Sequence, residues 1–531
     1  MNLNHHDLRQ MDEAYLRKCE EKGCLLEVSQ QLLQDVKELT DRLNQNPSNS
    51  SRPSGSQAPW EETSNEQAAD DDKSAKTDST PELANTQNKK NKKASDTSED
   101  ETSAVTSSKK QSIRSPGRQF GAEGHGRTQK FEITGTKEHR SDECACCKAP
   151  SAEGVSRPYT AWNELELTEP IEGKCELKIE CIQHVMYDTE CNRCGHTTRS
   201  THYQLPPDTL WEKIELGQWR LIGPRLAAAI VFLSMRMRLS RERIREFLCD
   251  FFGLKLSKGL IDQTIREAGR ACDPLEPELA KAIVESALAN ADETPWKESG
   301  KLLWLWVFVT QFTVLYCIGY RTAEILKNVL EGFDHIFMSD GYIVYRDLIN
   351  RLRCWAHLVR KMRGLAESTD TNVATVGQRM LDIFCELMEG IYRARDQAHD
   401  PTAIPGLASQ YTKIIEELKT LCEQHRDDTH KKLRELAREL LLDWEVILRQ
   451  VDEPHLPLTN NDAERALRHW VISRRLSQGT RSESGSRAFA LLASVIDTCR
   501  RRNASIRDYL ANVIAAARTG LSVPHLPPIP A

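Results

Sequence analysis

The chain lacks any long apolar run. Its longest, such as LAAAIVFL at 226–233, falls far short of the ~20 residues a bilayer-spanning helix needs, so membrane embedding is not expected. The opening stretch MNLNHHDLRQ has no apolar segment of the signal-peptide kind, so secretion is not expected either. Net charge is also modest. Over 531 residues the balance is −6, so no global positive field announces nucleic acid, and such a partner must be held by local patches. Aromatics are sparse at 6%, yet hydrophobic residues reach 39%, enough for several cores at ~100–200 residues per domain. Cysteine is not scarce. The chain has 16, partly clustered as CxxC, which in an unsecreted chain points to zinc and reduced thiols rather than disulfides.

Composition divides the chain. In 1–46, Leu25, Ser29, Leu32, Val36, Leu39 and Leu43 step by four and three, a heptad seam suited to a short coiled-coil dimer or to packing on the same chain. Residues 47–130 are Ser, Thr, Asn, Asp, Lys and Gln with almost nothing apolar, a composition that cannot offset its ordering entropy and reads as a disordered linker. It ends in a basic, Gly-rich stretch, RSPGRQFGAEGHGR, able to touch phosphates. Within 131–205, Cys144-x-x-Cys147 and Cys191-x-x-Cys194 lie 43 residues apart and supply four thiolates, the ligand set of a structural zinc ribbon. Cys146, Cys175, Cys181 and His196 compete as ligands. A catalytic zinc is not expected, because four thiolates leave no open position.

Segment 206–285 reads as helices: GPRLAAAIVFLSMRM, SRERIREFLCDFF and SKGLIDQTIREAGR, with Gly253 breaking the last two and Ser257 capping the third. The spacing is that of a helix–turn–helix, and Arg236, Arg238, Arg241, Arg243, Arg245, Lys255, Lys258 and Arg266 make it cationic. It fits a DNA-docking module, of which Arg241, Arg245, Lys258 and Arg266 are the candidate contacts; an ordinary trihelical packing unit with solvated charges fits equally.

Strand signals concentrate in 286–364: ALANAD (287–292), LLWLWVFVT (302–310), TVLYCIGY (313–320), HIFMSD (335–340) and a shorter RLRCWA (351–356), with a helix between the third and fourth. That order is the order of an RNase H-like sheet. Segment 365–454 is charged and helical, an insertion; 455–485 resumes the core with one more helix, and 486–531 is helical with a tail. Asp292 is expected to end the first strand and Asp340 the fourth, so both carboxylates should project at neighbouring strand ends. In LTNNDAERALRHW (458–470), Thr459 or Asn460 is expected to cap a helix whose Ala463, Leu467, Trp470 and Val471 form the buried face. Glu464, at the edge of that face, either pairs with Arg468 at i,i+4 or completes a carboxylate cluster with the two Asp residues. Three oxygen donors suit magnesium or manganese, and two such ions can clamp the attacking and leaving oxygens of a phosphodiester.

The neighbours of these acids carry two readings each. His357 and Arg360 either contact DNA phosphate or cap and solvate a helix; Arg465 and Arg468 either hold DNA phosphates bidentately or form simple ion pairs. Trp296 is either core or a base-stacking wedge. A Cys354–His357 nucleophile pair is disfavoured by its strand-end setting.

The segments ADETPW (291–296), SDGYIVYRDLINRLRCWAHLVRKM (339–362) and TNNDAERALR (459–468), the cationic helices upstream, the two CxxC knuckles and LNQNPSNSSRPS (43–54) together resemble the DDE transposases of the insertion sequence 66 family. The resemblance covers nearly the whole chain except the long linker. It implies DNA transposition at an Asp–Asp–Glu metal site, here Asp292, Asp340 and Glu464. A phosphodiester at the element end would be hydrolysed, and the freed 3′ hydroxyl would attack target DNA. Two departures are visible: Thr459-Asn460-Asn461 stands where the family usually has Asp-Asn-Asn, and the Gly-rich segment at 116–126 is a loose version of the family's. The expected architecture is therefore α+β and multidomain. It comprises an RNase H-like α/β catalytic core with a helical insertion, a zinc ribbon, a helical DNA-binding module and an N-terminal coiled-coil helix. Expected partners are DNA (element ends and target), further copies of the chain as a homodimer or higher oligomer, and accessory proteins of the same element, in the cytoplasm at the nucleoid. The rival expectations are a metal-dependent nuclease without strand transfer and a non-catalytic DNA-binding protein derived from a transposase.

Overall fold

The computed structural model describes residues 29–30, 32–33, 36–37, 129, 131–169, 177–200, 221–400 and 403–530. Residue 129 apart, these fall in a single unit. The expected linker, Cys175 and much of the heptad seam lie outside the described residues. Those of the seam that are described are helical, with Val36 exposed, and Lys37 Nζ lies 3.2 Å from the Asp370 carboxylate.

A small sheet comes first: β1 (Gly135–His139), β2 (Val155–Leu167), β3 (Ile179–Glu190) and β4 (Thr197–Arg199), in the order β1-β3-β2 with β4 paired to β3. At the far end of β2, the buried Glu166 carboxylate accepts the backbone N–H groups of Arg225 and Leu226 at 3.3 and 2.9 Å. Those groups belong to the first turn of α1 (Pro224–Met235), where the helix dipole favours an anion. Burial pushes this carboxyl up; the N–H donors pull it back.

Next, α2 (Arg241–Phe252) and α3 (Lys258–Ala271) begin on the N-caps Ser240 and Ser257, whose hydroxyls accept from Arg243 and Leu260 N–H. Gly253 closes α2 at φ 63, in the left-handed region that favours glycine. These are the boundaries the sequence predicts. A short helix, α4 (Glu276–Val284), leads into the main sheet.

That sheet contains β5 (Leu288–Glu298), β6 (Lys301–Val309), β7 (Val314–Gly319), β8 (Ile336–Ser339) and β9 (Arg351–Arg353), with α5 (Ala323–Val329) between β7 and β8. Its order is β7-β6-β5-β8-β9; the β5–β6 and β6–β7 pairs are antiparallel, β5–β8 and β8–β9 parallel. One expectation needs correcting. Asp292 does not end its strand: β5 runs on to Glu298 and turns into β6 through Ser299 and Gly300, both at positive φ (48° and 86°). The extension is possible because β8 stops at Ser339 and the parallel pairing ends at Asn290–Met338, so the exposed Pro295 meets no ladder on that side.

The insertion follows as α6 (Trp355–Ala366), α7 (Thr371–Gln397), α8 (Thr412–His425), α9 (Lys431–Leu442) and α10 (Trp444–Asp452), with its own apolar core around Trp355, Phe384, Leu436 and Ile447. The chain then returns with α11 (Asn461–Ser477), α12 (Glu483–Arg501) and α13 (Ile506–Thr519). A second apolar cluster runs from Leu165 of β2 through Ile230, Trp306, Trp470 and Ile496 to Leu526, so α1–α3 share one core with the main sheet. Among the described residues no helix is long and apolar enough to cross a membrane.

Candidate active site and metal-binding residues

Three parallel pairs join β5 to β8: Leu288–Ile336, Ala289–Phe337 and Asn290–Met338. Continued by two residues, this register sets Asp292 beside Asp340. Asp340 is the first residue after β8, level with Asp292 of β5. Asp292 is half-buried, and its carboxyl is raised well above the usual range by burial first and then by the charges of Asp340, Glu293 and Glu464. The acids predicted from sequence therefore act on one another. Asp340 Oδ1 accepts the Tyr342 N–H at 2.8 Å, which fixes the turn after β8.

Glu464 enters from α11. No Glu464–Arg468 pair forms; Glu464 Oε1 instead accepts Arg360 Nη2 of α6 at 3.0 Å and lies 3.7 Å from His357 Nε2. Arg360 and His357 thus hold this carboxylate. Burial, then the charges of Arg360, Lys361 and Arg353, depress His357 to about 3, so its ring is neutral. The expected helix cap also differs. Asn460 holds the cap position, but its side chain makes no cap bond; it donates Nδ2 to the Ala291 carbonyl at 2.7 Å. Its backbone N–H points at Cys354 Sγ, 3.2 Å away, and Cys354 is fully buried with its thiol pushed up by burial. That thiol is a packing group at the α11 start rather than a nucleophile.

Glu293 was not singled out from sequence. It is buried, receives the Tyr345 hydroxyl at 2.6 Å and the Arg321 guanidinium at 2.5 Å, and is raised by burial and by the charge of Asp340. Arg321 also lies over the rings of Trp304 and Tyr342 at 4.3 and 3.8 Å. The only sequence signal was adjacency to Asp292. A second unforeseen network lies behind Asp340: the fully buried Arg353 of β9 pairs with Asp443 and Glu439 of the insertion, Arg351 joins Asp443, and Lys361 joins Glu439 at 2.7 Å. The Arg353 guanidinium fills the space where a Cβ on Gly341 would stand.

The cysteine quartet is brought together. The Sγ atoms of Cys144, Cys147, Cys191 and Cys194 all lie within 4.8 Å of one another, and the 144–194 and 147–191 distances are each 3.6 Å. A tetrahedron of sulfurs ~2.3 Å from zinc has edges of ~3.8 Å, so the cluster is compatible with zinc. The two knuckles repeat one backbone pattern. Lys148 N donates to Cys144 O and Gly195 N to Cys191 O, and the donors Lys148 and Gly195 both sit at positive φ. Of the competing ligands, Cys146, Cys181 and His196 stay outside the quartet. The carboxylates form no comparably tight group among the described residues.

The candidate DNA contacts on α2 and α3 are engaged with acids: Arg241 and Arg266 with Asp262, Arg245 and Lys258 with Glu242. Arg465 and Arg468 are exposed on α11, the former 3.6 Å from Asp462. Trp296 is buried, the core alternative.

A family model described as Transposase IS66 family matches residues 220–488, from the start of α1 into α12. The chain belongs to the IS66 transposase family. The match takes in Asp292, Asp340 and Glu464, the whole insertion and α1–α3, and leaves out the cysteine quartet. Relatives in Sinorhizobium fredii (strain NBRC 101917 / NGR234) include uncharacterized protein y4qI, 25% identical over 301 residues (50% of this chain, 54% of that one). Uncharacterized protein y4hP is 25% identical over 330 residues (55% and 59%), and y4jO 27% over 198 residues (37% and 56%). This IS66-family chain thus spans between half and three fifths of the length of these curated relatives.

Proposed function

We propose that the chain is a DDE-type DNA transposase that cleaves a phosphodiester at the ends of its element and joins the freed 3′ hydroxyl to target DNA. Asp292, Asp340 and Glu464 are its catalytic carboxylates. The observation that supports this reading is the parallel β5–β8 register, which, extended past its last pair, brings Asp292 level with Asp340 just after β8, while the charges of Asp340 and Glu464 act on Asp292. The sheet order, three antiparallel strands β7-β6-β5 followed by the parallel additions β8 and β9, supports an RNase H-like core. Asp292 is raised by burial first and then by the charges of three further acids, Asp340, Glu293 and Glu464. Such an excess of hard oxygen donors fits divalent magnesium or manganese. Bound there, these ions supply Lewis-acid stabilisation of both oxygens of an in-line displacement.

The chain's own residues do the rest. Arg360 and neutral His357 orient Glu464, Arg321 and Tyr345 orient Glu293, and the Tyr342 N–H orients Asp340. Cys144, Cys147, Cys191 and Cys194 hold a structural zinc in this reading. DNA and further copies of the chain are its partners, and exposed Arg465 and Arg468 on α11 meet DNA phosphates beside Glu464.

Glu464→Gln keeps size and helix propensity but removes the charge that would hold a divalent cation. Cleavage of a duplex carrying the element end should fall by orders of magnitude while gel-shift binding persists. Glu445→Gln, in the insertion, is the matched control. Equal cleavage by the Glu464→Gln protein and the parent would refute the assignment. Cleavage without joined product in the parent would select the nuclease alternative.

A further inference from the structure

A cavity of about 360 Å³ opens on the far side of α11 from the carboxylates, walled by the α1–α2 turn, α3, the C-terminal end of α11 and the loop into α12. Its charge is one-sided: Arg238, Arg241, Arg266 and Arg481 line it against a single acid, Asp262. Arg241 and Arg266 share that acid, and no ion pair engages Arg238 or Arg481 among the described residues. Arg238 is held at φ 57°, a left-handed conformation an arginine keeps only where its surroundings impose it. Ser240 and Ser482, the N-caps of α2 and α12, also line the cavity, so the first turns of helices of 12 and 19 residues add partial positive charge.

The floor is aromatic. Phe489 is half-buried and packs on Trp296 with ring centroids 4.6 Å apart. The wall is built rather than incidental. Trp296 Nε1 donates to Thr480 Oγ1 at 3.1 Å, Thr480 N to Lys297 O at 2.9 Å, and Ser299 N to Thr480 O at 2.9 Å. Gly479, at φ 92°, presses so close to the Lys297 carbonyl that no Cβ would fit. Leu476 stands at the rim, 67% exposed.

Cations alone would hold a small anion, and rings alone an apolar group. Together they match the phosphate and base of one nucleotide, and base–aromatic stacking serves any base because each has a π-face. A base inside a duplex presents no face, so the occupant must be unstacked. The geometry points to a nucleotide-binding site: we infer that this cavity receives one unstacked nucleotide of a DNA strand, its base over Phe489 and its phosphate against Arg238 and Arg481. The inference rests on the reading of the chain as a DNA-processing enzyme, and it concerns a nucleotide distant from the scissile one.

The test uses the full-length protein and a labelled single-stranded oligonucleotide of element-end sequence, with the matching duplex in parallel. Arg481 is exposed, so Arg481→Glu leaves the core intact; Phe489→Leu removes the ring of the floor and keeps an apolar side chain against Trp296 and Trp470. Each should weaken single-strand binding about tenfold while duplex binding changes little. Arg481→Glu should also reduce the slope of log affinity against log salt by about one. A bromouracil-substituted strand should photocrosslink to the peptide that contains Phe489. If the parent binds both DNA forms and both variants match it, the inference is overturned and the functional reading stands. If the parent binds neither form, both fall together. A free deoxynucleoside monophosphate that competes as well as the oligonucleotide would mark a small-molecule site and overturn the DNA assignment.

Discussion

Asn460 donates its side-chain amide to the carbonyl of Ala291 at 2.7 Å, which fastens the residue at the head of the Glu464 helix to the residue just before Asp292. Asn460 is fully buried, and its backbone carbonyl accepts the Glu464 N–H at 3.2 Å. One side chain thus sets the distance between two acids 172 positions apart in sequence.

Asn460→Ala leaves the Ala291 carbonyl buried without its donor, which costs about 1–3 kcal/mol. Urea denaturation should report that loss, and end cleavage should drop more than DNA binding does. Asn460→Asp should be worse, since a carboxylate offers no donor and adds a fifth acid to the site. A fully active Asn460→Ala protein would show that α11 is held by its apolar face alone.

Metal-free stability should depend on Asp292. Its native pKa is raised, by burial first and by Asp340, Glu293 and Glu464 after it, so the protonated form favours the fold. That contribution is complete below the ordinary carboxylate value of ~4 and is lost as pH rises through the raised native value. Asp292→Asn should therefore melt higher than the parent without divalent ions, by a margin that widens from mildly acidic to neutral pH. Magnesium should raise the Tm of the parent and barely move the variant. A constant margin across the range would contradict this.

Elemental analysis of the purified protein should find about one zinc per chain. The double change Cys191→Ser with Cys194→Ser should abolish it and expose the segment 131–200 to protease. Retained zinc in that variant would exclude the quartet.

Arg353 is the buried hinge pin between the main sheet and the insertion. Arg353→Met strands Asp443 and Glu439 as poorly compensated buried acids and should cost about 3–5 kcal/mol in denaturant unfolding. Asp443 is held below its usual range by Arg351 and Arg353 despite burial, which acts to raise it, so Asp443→Asn should cost less at low pH than at neutral pH. Equal costs at both would mean the charge is irrelevant.

Much of this was readable in advance because it depends on local rules. Ser240, Ser257 and Gly253 bound their helices where capping chemistry says they should, and two CxxC knuckles close on each other because each is a self-contained turn. The Asp292–Asp340 pair followed from strand order alone. What stayed hidden depends on partners distant in sequence. Glu293 looks like any strand glutamate until Arg321 and Tyr345 arrive. Asn460 has an ordinary cap composition, and only the nearby Ala291 carbonyl diverts its amide. Arg351 and Arg353 fall in the short strand signal RLRCWA, which gives no hint of their acids some 90 positions away. The strand signal ALANAD stops at Asp292, and sequence does not say that β5 runs on to Glu298 beyond its last pair with β8.

Helix α11 is also a ruler. Glu464 stands near one end, and Ser473, Leu476 and Ser477 wall the arginine-lined cavity at the other. At 1.5 Å per residue the span from Glu464 to Ser477 is roughly 20 Å, or about six steps of a stacked strand at 3.4 Å each. Because the α-helix is a rigid rod with 3.6 residues per turn, lengthening it by four residues would add about 6 Å and keep both ends facing as they do. Lengthening it by two would turn one end roughly 200° away from the other. The spacing between the chemistry and the arginine-lined cavity is therefore set in whole helical turns.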